Sequence, residues 1–151
     1  MTTTVNLFRA DVHGGPFLPL SREDTGTRVG ASWCESYRSA ESFRAQVLAK
    51  QQGGWQPSGR GSGYPSIWQT EVAIEDSCFL DARVEVSAIW KALSGASSAY
   101  KHLRDAVHDN KEVLIAQGWC WVAFRDSDQH GAEYVYLDGP PLLASQAPYG
   151  G

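Results

Sequence analysis

The chain carries no surplus of positive charge. Its 13 Lys and Arg stand against 17 Asp and Glu, a formal net charge of -4. No basic field is present to hold a polyphosphate backbone, which argues against nucleic acid as a general partner. A small nucleotide needs only one arginine and a few amides, so it stays open. Cysteine is also scarce. The three are Cys34, Cys78 and Cys120, widely spaced and without a CxxC pair. That pattern argues against both a zinc site and a disulfide framework, and thiols inside apolar runs read as reduced and buried. No apolar stretch approaches the ~20 residues of a membrane span. The opening "MTTTVNLFRADV" has neither a basic nor an apolar signal region. The expectation is a cytoplasmic protein, or one delivered into a target cell's cytosol. Neither GxGxxG nor GxxxxGK[ST] occurs, so the Rossmann and P-loop phosphate cradles are missing.

What is present is a core. Of the 151 residues 42% are hydrophobic, and six are tryptophan, enough to pack one domain over 1–151. "VNLFRADV" reads as a strand. A long loop over about 13–30 follows, broken by glycine and proline. "ASWCES" is a short strand and "SYRSAESFRAQVLAK" a helix, capped by Ser36 or Ser39. A Gly/Ser/Gln-rich connection runs over about 51–65, with Trp55 as an exposed aromatic. "SIWQTEVAI" and "SCFLDARV" are strands. "EVSAIWKAL" and "SSAYKHLRDAVHDNKEVLIAQ" are helices, the second with the stripe Tyr100, Leu103, Val107 and Leu114 and with Gly118 as its C-terminal stop. "WCWVAFRD" and "AEYVYLD" pair as a hairpin across "SDQHG". A loose tail follows from about 144 to 151. This order predicts an α+β fold with small, split, antiparallel-rich sheets and flanking helices.

Three pieces carry chemistry. Arg9 lies in the first strand, where packing has no need of a long cation. Ser32 lies on a strand feeding a helix. Glu133 opens the last strand of the hairpin, as a catalytic acid on a rigid element or as a solvated strand end. Among the remaining polar residues, the histidines 13 and 130 read as exposed loop residues. His102 and His108 read as the solvated face of the long helix, as does the whole of "RDAVHDNKE".

The order "LFRA … GASWCESYRSAESF … SIWQTEVAIEDSCFLDA … GWCWVAFRDSDQHGAEYVYLDGPPL" resembles the small mono-ADP-ribosyltransferase-like domains, toxin- and phage-type relatives among them. The match spans about Leu7 to Leu142, and "AEYVYLDGPPL" is its best local stretch. The resemblance implies a fold of that type and NAD as substrate. It implies Glu133 as the catalytic carboxylate, set against the positive charge that develops on the ribose. Arg9 would grip the diphosphate or a ribose. Ser32 or Ser36 would brace the carboxylate, and Trp33, Tyr37 or Trp55 would stack on nicotinamide. Two residues before Glu133 stands Gly131, where arginine-modifying members carry a second glutamate, so arginine as acceptor is not implied.

Two function classes follow. One is an NAD-dependent mono-ADP-ribosyltransferase or NAD glycohydrolase acting on a macromolecular target, in the manner of a toxin or effector. The other is a non-catalytic interaction protein or inhibitor on a degenerate version of the same fold, with tryptophans and acidic charge suited to a basic or antitoxin-like protein partner. A hydrolase built on Cys34 and a histidine is a third, with no supporting spacing.

Overall fold

Two ten-residue runs that alternate apolar and polar residues build the longest ladder in the molecule. β1 (Thr2–Asp11) and β3 (Ser66–Glu75) pair antiparallel along their whole length, from Thr2 opposite Glu75 to Asp11 opposite Ser66. The computed structural model describes residues 1–12, 14–22, 32–54, 64–93, 100, 102–125 and 131–148. Within them the remaining strands are β2 (Ser32–Cys34), β4 (Phe79–Ala82), β5 (Trp121–Phe124), β6 (Glu133–Tyr136) and β7 (Ser145–Gln146). They form one seven-stranded sheet in the order β4-β5-β6-β2-β1-β3-β7. All neighbours are antiparallel except β4 and β5. The mixed, antiparallel-rich fold is as expected, but the split into small sheets is not found: β2 joins β6 to β1 and makes the sheet continuous.

The helices are α1 (Tyr37–Gln52), α2 (Ser87–Ala92), α3 (Leu103–Asp109) and α4 (Lys111–Ala116). Ser36 caps α1, its side chain accepting from the Ser39 amide at 3.1 Å. The connection from β4 back to its parallel neighbour β5 runs through α2, α3 and α4, since parallel strands need a long crossover. The single long helix expected there is two. Asn110 leaves helical geometry at φ -111, ψ 23, and its Nδ2 donates to the Ala106 carbonyl and the Tyr100 hydroxyl. A side chain bonded to its own preceding turn competes with helix continuation. After α4 the stop is as expected: Gly118 adopts φ +98, and Trp119 N–H donates to the Leu114 carbonyl at 3.1 Å.

Side chains alternate across the sheet, so each face has its own core. On the helix side, Leu80, Ala82, Val122, Phe124, Val135 and Leu137 pack with Ile89, Val107 and Leu114. Further along that face Phe8, Cys34 and Ile67 pack under Ala40 of α1. On the opposite side, Leu7, Trp33, Ile74, Phe79, Trp121, Tyr134 and Tyr136 pack with Phe17. That second face is closed by two non-helical segments joined at Phe17 and Leu142, which exchange two backbone hydrogen bonds of 2.8 Å. The tail is therefore anchored and not loose at its start. β7 pairs with Trp68 and Gln69 on the outer edge of β3, and Thr70 donates to the Leu143 carbonyl. Trp55, His13 and His130, with half of the loop 13–30 and most of the loop 51–65 and of the hairpin turn, lie outside the described residues.

Candidate functional site

β5 and β6 are buried along their full length, because both faces of the sheet are covered there. One of those eight positions is charged: Glu133, whose side chain is 2% exposed. Register decides what it meets. Glu133 is opposite Cys34, and Cys34 is opposite Phe8, so these three share a face. Ser32 and Val135 stand two residues along on that same face. It is the face covered by α1 and α3.

The partner of Glu133 is Arg104, in the first turn of α3. Arg104 Nε lies 2.9 and 2.8 Å from the two carboxylate oxygens, and Nη2 also donates to Oε1. The guanidinium rests over the Phe43 ring of α1, 5.2 Å from its centroid, and keeps 32% of its side chain in solvent. One helical turn on, His108 Nε2 is hydrogen-bonded to Ser32 Oγ at 3.1 Å. His108 is buried, not on a solvated helix face. The sheet side thus contributes a carboxylate and a hydroxyl, and α3 lays a guanidinium and an imidazole over them. Tyr37, at the start of α1, borders this region and packs edge-on against Phe8.

Arg9 is elsewhere. It follows Phe8, so its side chain emerges on the other face of the sheet. There Nε donates to Asp11 at 2.9 Å and Nη1 to the Ser32 carbonyl at 2.7 Å, and the guanidinium lies over the Phe17 ring. It stitches β1 to β2 and retains only 10% of its side-chain exposure. Trp33 is on that face too, fully buried and edge-on to Phe17 at 5.1 Å. Arg9 and Glu133, expected to act on the same dinucleotide, are therefore not brought together: the sheet stands between them. Of the residues named from sequence, Ser32 and Glu133 share the face that α3 covers, Tyr37 packs on Phe8 of that face, and Arg9 and Trp33 lie on the other. Arg104 and His108 were missed. Their i, i+4 spacing beside the Leu103–Val107 stripe is the signal that both lean toward the sheet.

The buried carboxylate has an electrostatic consequence. Cys34 is pushed up to about 12, first by burial and then by the negative charge of Glu133, against smaller opposing effects of Arg9 and Arg104. It is a neutral thiol and a poor nucleophile at neutral pH. A folded-state pKa above the unfolded value contributes stability that is complete below the unfolded pKa and lost as pH rises toward the folded one. Tyr136 is likewise pushed up to about 12, chiefly by burial. Chemical denaturation midpoints are expected to fall between pH 9 and 12, and Cys34→Ala should flatten the start of that fall. A profile unchanged by the substitution would remove Cys34 as a contributor.

Among the described residues no group of three or more His, Cys, Asp or Glu is placed to hold a metal ion, and no helix is long and apolar enough to cross a membrane. Comparison with protein families, with curated proteins and with solved structures finds no match.

Proposed function

We propose that the chain consumes NAD at the cluster of Ser32, Arg104, His108 and Glu133, as a mono-ADP-ribosyltransferase or, with water as acceptor, an NAD glycohydrolase. The observation that carries the reading is the charge buried at Glu133. A carboxylate buried against a guanidinium gains little over well-packed apolar side chains, because desolvation of the acid offsets much of the attraction. A pair retained at the centre of a sheet, with a hydroxyl and an imidazole beside it, fits a chemical task better than a packing one.

In this reading the bond from the ribose C1′ to nicotinamide breaks, and its electron pair leaves with nicotinamide. Glu133 faces the positive charge left on the ribose, and Ser32 braces a ribose hydroxyl. The acceptor's oxygen or nitrogen bonds to C1′ and gives up its proton. Arg104 covers the carboxylate in the resting state. Arg104, a third of whose side chain is in solvent, exchanges Glu133 for the diphosphate oxygens of the incoming dinucleotide, an equally charge-assisted partner, and so uncovers the carboxylate as substrate binds. Arg104 thereby takes the role that the family resemblance assigns to Arg9. The target would be a protein or another macromolecule.

A second reading is favoured by the same pair's tightness. With its side chain 2% exposed and both oxygens engaged, Glu133 is sealed, as in a non-catalytic relative that acts by binding a partner protein. The two readings separate in one experiment. Purified protein is incubated with NAD, nicotinamide release is followed, and Glu133→Gln is compared at matched fold by circular dichroism. Transfer or hydrolysis at this site predicts release that drops at least about 100-fold in the variant, the scale for losing an electrostatic stabiliser of a transition state. Equal release from both proteins removes Glu133 from the mechanism. No release, with no heat of NAD binding, leaves the binding-protein reading.

A further inference from the structure

The parallel pairing of β4 and β5 does something the spacing of the cysteines conceals. Phe79 and Trp121 are register partners at the start of the two strands, so the residues just before them, Cys78 and Cys120, are also side by side. The Cys120 amide donates to the Cys78 carbonyl at 2.8 Å. Neighbouring strands lie about 4.8 Å apart, inside the Cα separation a disulfide spans. Both residues are half-buried free thiols, just before the edge strand β4 and its neighbour β5, whereas Cys34 is buried in β2, two strands beyond β5. The Cys78 thiol donates to the Glu75 carbonyl at 3.5 Å.

We propose that Cys78 and Cys120 form a reversible dithiol–disulfide pair, oxidised by hydrogen peroxide, that tethers the start of β4 to the start of β5. Cys78 sulfur, as thiolate, attacks one peroxide oxygen. The O–O bond breaks, Cys78 becomes a sulfenic acid, and the departing oxygen takes a proton and leaves as water. Cys120 sulfur then attacks the Cys78 sulfur, the S–S bond forms, and the sulfenic oxygen leaves as a second water with the Cys120 proton. Two thiols lose two electrons and two protons in all, and one peroxide becomes two waters. Cys120 suits the resolving role. Its thiol is pushed up to about 11, first by burial, then by the neighbouring Cys78 and by the charge of Asp138. It keeps its proton until the sulfenic acid is beside it.

The test is a thiol count on the full chain after hydrogen peroxide treatment, taken in denaturant, with peptide mapping. The chain has three cysteines, and the count is expected to fall from three to one. The mass should fall by two hydrogens, the mapped link should join Cys78 to Cys120, and dithiothreitol should restore the count. Cys34→Ala should fall from two thiols to none. Cys78→Ser should form no intramolecular bond, leaving only oxygen addition or dimers on a non-reducing gel. A count that stays at three, oxygen addition without a link, or a link that includes Cys34 overturns the proposal.

Discussion

Arg104→Ala should destabilise the fold by about 3 kcal/mol, at the low end of the range for breaking a buried ion pair. The effect comes from what is left behind. Glu133 is held within β6 by its backbone ladder and flanked by Phe124 and Cys34, so its carboxylate stays largely buried when its guanidinium partner is removed. The low end applies because Arg104 keeps 32% of its side chain in solvent, and water enters as soon as that side chain is shortened. For a chain of this length the loss corresponds to a fall in the thermal midpoint of roughly 6–12 °C. The cycle with Glu133→Gln identifies the cause. Glu133→Gln alone should cost less, because it leaves a neutral amide that can still accept from Arg104. The double variant should recover much of what Arg104→Ala loses, a coupling of at least about 1 kcal/mol. Additive effects would mean that the two side chains do not act as a pair. The same substitutions bear on the NAD reading in a different observable: a stability cycle reports the pair, and nicotinamide release reports the chemistry.

The second large effect belongs to Trp33. Truncation to alanine removes a fully buried indole from the central strand β2, next to Phe17, and should cost about 3–5 kcal/mol. Trp33→Phe is the informative companion. The indole Nε1 is buried with no hydrogen-bond partner among the described residues, a state that carries its own penalty of about 1–3 kcal/mol. Phenylalanine leaves a smaller void and removes that orphaned donor, so the two effects oppose and the net cost should stay under about 1.5 kcal/mol. If Trp33 stacked on nicotinamide, Trp33→Phe would weaken NAD binding without a matching stability loss. Its place on the face away from Glu133 leads us to expect NAD binding unchanged. Urea denaturation and calorimetry with NAD, run on both variants, check each half.

Much of the element order was legible because local chemistry determines it. Alternation in "SIWQTEVAI" gives β3, Ser36 caps α1, and Gly118 ends α4 at a positive φ that residues with a Cβ rarely adopt. The misreadings are where a distant contact outweighs local pattern. "LLASQAP" reads as a tail until the open edge of β3 accepts it as β7. "RDAVHDNKE" reads as a wet helix surface until the sheet offers Glu133 and Ser32 beneath it. Cys78 and Cys120 read as unrelated until a parallel pairing, reached through three helices, sets them side by side.

By itself the chain determined a mixed fold rich in antiparallel strands, a core dense in aromatics, and Glu133 as the carboxylate out of place in an apolar strand. Hydrophobic period, caps and turn residues act within a few positions, and a charge in an apolar run is visible without coordinates. Only the tertiary structure decided which arginine meets that carboxylate. Strand register sends neighbouring side chains to opposite faces of a sheet, so Arg9, one residue from Phe8, is on the far side, while Arg104 arrives from a helix that no local pattern connects to β6.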